Sequence, residues 1–105
     1  MLIIVLSITI AYLVIHFYKE MEIRHIAKQL DDWTLYVNTS NCGFCLKQIE
    51  FLKDNTSFVN IVHCDDNKNV RECSNLQSLP QWVRGNKKIP GARLSLVSLK
   101  ELLDK

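Results

Sequence analysis

Residues 33–52 read WTLYVNTSNCGFCLKQIEFL, and this stretch decides the fold. Trp33 to Thr39 is β-branched and aromatic, the composition of a strand. Ser40 and Asn41 follow as candidate helix caps. From Cys42 to about Asn55, Leu46, Ile49 and Leu52 fall on one helical face together with Cys42 and Cys45. Cys42-Gly43-Phe44-Cys45 therefore sits where a strand turns into an amphipathic helix. Backbone N–H groups and the positive end of the helix dipole stabilise a thiolate at such a place, so Cys42 is expected to be the attacking sulfur. Cys45, one turn later, is placed to resolve a mixed disulfide. Gly43 leaves the approach to the sulfur open, and Phe44 offers an apolar surface beside it. C-x-x-C alone is a weak signal, and its position after a strand and before an apolar-striped helix strengthens it.

Downstream, Phe58 to Cys64 reads as a second strand and Asn69 to Gln77 as weakly helical. Gln81–Arg84 and Lys87–Ile89 flank Gly85-Asn86, a hairpin with its turn residues in place. Leu94 to Lys105 closes the chain as a helix striped by Leu96, Leu99, Leu102 and Leu103, with Ser98 to Glu101 fitting a capping box. The order strand, helix, strand, short helix, hairpin, helix predicts an α/β sandwich with one parallel pair and one antiparallel pair. Trp33 and Trp82 are expected to be packing residues. Pro80, in Leu79-Pro80-Gln81-Trp82, opens a strand where a missing N–H costs no ladder bond.

Working outward, the 105-residue chain carries a net charge of +2, is 48% apolar and 23% charged, and has four cysteines. Its mean hydropathy of zero averages two unlike regions. Residues 1–18 hold no Asp, Glu, Lys or Arg, so all 13 Lys and Arg and all 11 Asp and Glu lie from Lys19 onward. Such a chain is neither multidomain nor disordered, and interspersed charges near neutrality give no basic footprint for nucleic acid. Leu2 to Phe17 would span roughly 24 Å as a helix, a little short of a hydrocarbon core of about 30 Å. Met1 and an interfacial Tyr18, or local thinning of the bilayer, would close that gap. A cleaved signal peptide would need a basic leader and a small-residue cleavage site, and the sequence has neither. A buried core helix is the other alternative, which so small a domain has little room to hide. Residues 1–18 are thus read as a single-pass transmembrane anchor. Residues 19–32 follow as an amphipathic helical stalk carrying Met21, Ile23, Ile26, Ala27 and Leu30, either a solvated spacer or a partner-binding helix. Lys19, Arg24 and Lys28 after the span favour a cytosolic domain by the positive-inside rule, whereas the cysteine content favours an oxidising compartment.

The C-x-x-C at the first domain helix, followed about 35 residues later by a loop proline leading into a hairpin, resembles the thioredoxin superfamily. Within it, the chain is most similar to the compact thioredoxin-like domain fused to bacterial vitamin K epoxide reductase homologues. The positions that carry this likeness are Cys42-Gly43-Phe44-Cys45, His63-Cys64, Glu72-Cys73, Pro80-Gln81-Trp82, Asn86-Lys87-Lys88 and Ser98 to Leu102. The resemblance covers residues 33–105 and implies a minimal thioredoxin-like fold, with Cys42 as nucleophile, Cys45 as resolving thiol and Pro80 as a cis-proline facing them. It further implies that the Leu79-Pro80 loop docks substrate by backbone hydrogen bonds, beside the apolar surface expected of Phe44. Asn41 and Tyr36 stand where thioredoxins carry a Trp and a buried Asp, so the usual proton-handling carboxylate is not at its place. Cys64 and Cys73 are open to three readings: a structural disulfide, which the resemblance favours, a relay pair serving Cys42 and Cys45, or free thiols.

These observations lead to the expectation of a membrane-anchored thiol–disulfide oxidoreductase with catalytic Cys42 and Cys45. It would need no organic cofactor or metal, and its partners would be protein thiols or disulfides, a membrane redox partner and membrane lipid, not nucleic acid. Two alternatives stand beside it: a redox-inert thioredoxin-like interaction module with structural disulfides, and a zinc-binding module. The second pair is separated by eight residues, a spacing unlike that of structural zinc sites.

Overall fold

A computed structural model describes residues 1–105 and opens on one continuous helix, α1 (Leu2–Gln29). At 1.5 Å per residue its 28 residues extend about 42 Å. Residues 1–19 are exposed throughout, and the helix is long and apolar enough to cross a membrane. Ser7 and Thr9 donate their hydroxyls to the carbonyls of Ile3 and Val5, so neither hydroxyl is left unpaired on this face.

The last turns of α1 differ from the rest. Ile23, Ile26 and Ala27, with Leu30 just beyond the helix, are buried in the domain core beside Trp33. The helix expected over residues 19–32 stops at Gln29, with residues 30–32 turning into the first strand, and its apolar residues other than Met21 are buried rather than solvated. Its apolar stripe covers a core that the short downstream elements leave open. Lys53 Nζ donates to Glu20 Oε1 at 2.8 Å and fastens the domain to α1 two residues past Tyr18. That contact holds the Glu20 carboxyl below its usual range and raises the Lys53 ammonium.

The domain is built on a four-stranded sheet in the order β2-β1-β3-β4, from β1 (Thr34–Val37), β2 (Asn60–His63), β3 (Gln81–Arg84) and β4 (Lys87–Pro90). β1 pairs with β2 in parallel and with β3 antiparallel, and β3–β4 is the expected hairpin. Gly85 takes φ +59° in its turn, a conformation that disfavours a Cβ. Alternation along β1 buries Leu35 and Val37 and turns Thr34 and Tyr36 to the opposite face. α2 (Gly43–Leu52) connects β1 to β2. It stops short of the expected Asn55, because Lys53 takes φ +52° and the chain continues as a 3-10 segment, Lys53–Phe58. α3 (Val70–Cys73) is a single turn, and α4 (Leu96–Lys100) runs into a 3-10 turn, Glu101–Asp104. The α4 capping box is made by Ser95 and Ser98 rather than by Ser98 and Glu101; Ser98 is the third helical residue and reaches back to the Ser95 N–H.

One core joins Ile26 and Leu30 to Leu35, Val37, Cys45, Leu52, Trp82, Leu99 and Leu102, all but Ile26 fully buried. Both tryptophans are in it as packing residues. At about 1.5–3 kcal/mol for each large apolar side chain, these residues supply most of the drive to fold. Gln48, also fully buried, donates its amide to the Arg93 carbonyl at 2.9 Å and accepts the Arg93 N–H, pinning α2 to the segment before α4.

Candidate functional site: the Cys42–Cys45 pair and its groove

The N-cap of α2 is Cys42 itself, not Ser40 or Asn41. Its backbone is extended at φ −120°, and its sulfur accepts the Cys45 N–H at 3.2 Å. A sulfur there occupies the position a Ser or Asp side chain would take, satisfying one of the orphan amides of the first turn. Ser40 and Asn41 belong to the preceding loop. The Ser40 N–H donates to Asn38 Oδ1 at 3.0 Å, a short-range turn that leads the chain from β1 to the helix.

Cys42 and Cys45 form a disulfide with Cα atoms 5.3 Å apart. The two sulfurs are not equivalent. Cys45 is fully buried in the core, and its sulfur accepts the Asn38 N–H at 3.5 Å. Cys42 is half-buried and borders an open groove lined by Asn38, Asn41, Phe44, Leu76 and Leu79. The groove therefore reaches Cys42 and not Cys45. Phe44 is 63% exposed beside it, with Lys47 Nζ 5.3 Å from the ring centroid.

The Leu79–Pro80 peptide bond is cis, and the Leu79 carbonyl oxygen lies 3.5 Å from Cys42 Sγ across the groove. Two contacts thus act on this sulfur in opposite senses once the bond is opened. The Cys45 amide favours the thiolate, whereas the Leu79 carbonyl is an acceptor suited to the protonated thiol. Pro80 is buried, and the Gly91 N–H donates to its carbonyl at 3.0 Å, fixing the loop to the end of β4.

Cys64 and Cys73 form the second disulfide, with Cα atoms 5.8 Å apart, joining the end of β2 to α3. The four cysteines are all bonded, as two separate pairs, and no three His, Cys, Asp or Glu side chains converge as a metal cluster would. Beside the second pair, Glu72 and Asp65 make side-chain hydrogen bonds that nothing in the sequence announces. The Tyr36 hydroxyl donates to Glu72 Oε1 at 2.8 Å; burial, then the hydrogen bond to Glu72, push the phenol up to about 12. Asp65 Oδ2 accepts both the Thr39 hydroxyl, at 3.1 Å, and the Ser40 hydroxyl, at 3.0 Å. These contacts, chiefly that of Ser40, hold the Asp65 carboxyl below its usual range. Leu76, in the stretch expected to be weakly helical, instead lies beyond α3 and lines the groove.

No family model matches this chain, and no curated protein matches it. The functional reading therefore rests on the site's own geometry.

Proposed function

We propose that the chain is a membrane-anchored thiol–disulfide oxidoreductase of thioredoxin-like type, working through Cys42 and Cys45. The observation that carries this reading is the asymmetry of the pair: a half-exposed sulfur at a helix N-terminus bonded to a fully buried one. A staple with no redox role has no need of a groove at one sulfur. In exchange, a substrate thiolate attacks Cys42 Sγ, and the Cys42–Cys45 bond breaks with its electron pair leaving on Cys45. A second substrate thiolate then attacks the mixed disulfide, the substrate leaves oxidised, and both enzyme sulfurs are reduced. Run backwards, the Cys42 thiolate attacks a substrate disulfide and Cys45 displaces the product, so two electrons pass to the substrate. Phe44 gives the incoming chain an apolar contact, and Leu79, which lines the groove, offers its carbonyl to it, while the buried Pro80 shapes the loop from beneath. The apolar α1 segment holds this chemistry at a membrane, so substrates or a redox partner are met there.

Trapping in intact cells tests the reading. Replacing Cys45→Ser leaves a mixed disulfide at Cys42 unresolved, so partners should be captured and released by reductant. The further change Cys42→Ser should abolish capture. Secretory cysteine proteins among the partners would place the domain in an oxidising compartment. No captured partner, together with a Cys42 that alkylates like an ordinary thiol, would return the pair to the role of an inert staple.

A further inference from the structure

Asp65 directly follows Cys64 at the end of β2, where the polypeptide leaves the sheet. Its Oδ2 accepts the hydroxyls of Thr39 and Ser40, two and three residues ahead of Cys42. The neighbouring Cys64 N–H donates to the Val37 carbonyl at 2.7 Å, carrying the β1–β2 pairing one residue further. On the other side of the disulfide, Glu72 accepts the Tyr36 hydroxyl. The segment closed by Cys64–Cys73 thus grips β1 and its outgoing loop at Tyr36, Val37, Thr39 and Ser40. Within residues 38–41 the remaining ties are short-range: the Asn38 turn and the Asn38 N–H to Cys45 Sγ. Asp65 is the group that holds this loop to the rest of the sheet.

We propose that Asp65 is a positioning residue for Cys42, and that through it the Cys64–Cys73 disulfide sets the reactivity of the Cys42–Cys45 pair; the proposal rests on the thiol-exchange reading above. The extended N-cap backbone of Cys42, which aims its sulfur at the Cys45 amide, follows from a loop fixed two residues earlier. When that loop is released, the sulfur loses a preset donor and its thiolate fraction falls. Asp65 also brings a negative charge to the same end of the sheet, which acts in the opposite direction by disfavouring a thiolate nearby. Geometry and charge therefore carry different signs and are separable by substitution. Asn at this position keeps an acceptor oxygen for both hydroxyls and removes the charge; Ala removes both.

The test uses the full chain in detergent. It is equilibrated with a dithiol buffer and trapped by alkylation, with peptide mapping to report each cysteine pair separately. After reduction of Cys42–Cys45, D65A should alkylate at Cys42 at least about threefold more slowly at neutral pH, the size of a helix-terminal interaction. D65N should match the wild type or exceed it. The double change Thr39→Val with Ser40→Ala breaks the same contacts but keeps the charge, so it should slow Cys42 at least as much as D65A, and it serves if D65A fails to fold by circular dichroism. Combined with Cys64→Ala and Cys73→Ala, D65A should add little, since both act through one contact. A D65A rate within twofold of wild type, an equal slowing in D65N, or fully additive effects would each overturn the positioning role. A wild-type pair that never equilibrates with the dithiol would sink the oxidoreductase reading as well, whereas normal exchange in wild type and D65A alike sinks only this proposal.

Discussion

The two disulfides differ in almost everything except chemistry. Cys42–Cys45 closes a gap of three residues at the start of a helix, and Cys64–Cys73 closes nine between a strand end and a single helical turn. Chain entropy does not separate them: the loop-closure relation gives roughly 1.9 kcal/mol for the short loop and roughly 2.7 kcal/mol for the longer one. Their surroundings do. The first pair puts one sulfur in the core and the other on a groove with Leu79 across it. The second lies between two residues that hold β1 and its outgoing loop, Glu72 bonded to Tyr36 and Asp65 bonded to Thr39 and Ser40. A disulfide's role is thus legible from what faces its sulfurs, and barely from the length of chain it closes.

Two sets of substitutions break the comparison if it is wrong. Cys42→Ser should lower the rate of exchange with a protein disulfide by about a thousandfold or more, the usual consequence of removing a nucleophile. It should leave the Cys64–Cys73 bond intact by mass spectrometry. Cys64→Ala with Cys73→Ala should do the reverse. Stability to urea falls by about 2–3 kcal/mol, which for a domain this size lowers Tm by roughly 10 °C or more. Exchange then continues, slowed only to the extent that the Asp65 contact is loosened. Exchange lost as completely as in Cys42→Ser would make the second pair a relay.

Much of this arrangement is legible in the sequence, for reasons that can be traced to particular residues. Strand composition in Trp33 to Thr39, the Gly85-Asn86 turn and the leucine stripe near the C-terminus are local signals, and local signals survive into the fold. The ends of elements were read less well. Capping depends on which donor a side chain reaches, so Cys42 displaced Ser40 and Asn41, and Ser95 displaced Ser98. The packing of Ile23, Ile26 and Ala27 was hidden for a different reason. Their spacing announces a stripe, but only the tertiary structure says that the domain's own core lies against it. Asp65, Glu72 and Gln48 gave no signal, because each acts on a residue at least 25 positions away.

A smaller change sharpens the contrast at the groove. Phe44→Ala removes an exposed ring that supports nothing beneath it, so stability should stay within about 0.5 kcal/mol. If the ring meets substrate, kcat/KM for a protein disulfide should fall by roughly three- to tenfold while the rate with a small dithiol is unchanged. An equal loss with both substrates would mean that Phe44 tunes Cys42 instead of contacting the partner.

The subtlest effect belongs to the second pair and is read by light absorption. Tyr36 is held protonated up to about pH 12, with burial as the leading cause and Glu72 as the second. An acid whose pKa is raised by folding stabilises the fold fully below its unfolded value near 10, and that contribution is lost as pH climbs from 10 toward 12. Phenolate absorbance, taken as the difference between wild type and Tyr36→Phe, should therefore rise near pH 12. Glu72→Gln keeps an acceptor for the hydroxyl and removes only the charge, the smallest of the three causes, so it should recover less than half of the shift. The two disulfides then act differently on this reporter. Removing Cys64 and Cys73 frees α3, so Glu72 leaves the hydroxyl and the titration moves toward 10. Opening Cys42–Cys45 touches neither Tyr36 nor Glu72 and should leave the curve in place. A titration that moves with the first pair and not with the second would mean that the grip on Tyr36 comes from α2, and the division of labour between the two disulfides would have to be redrawn.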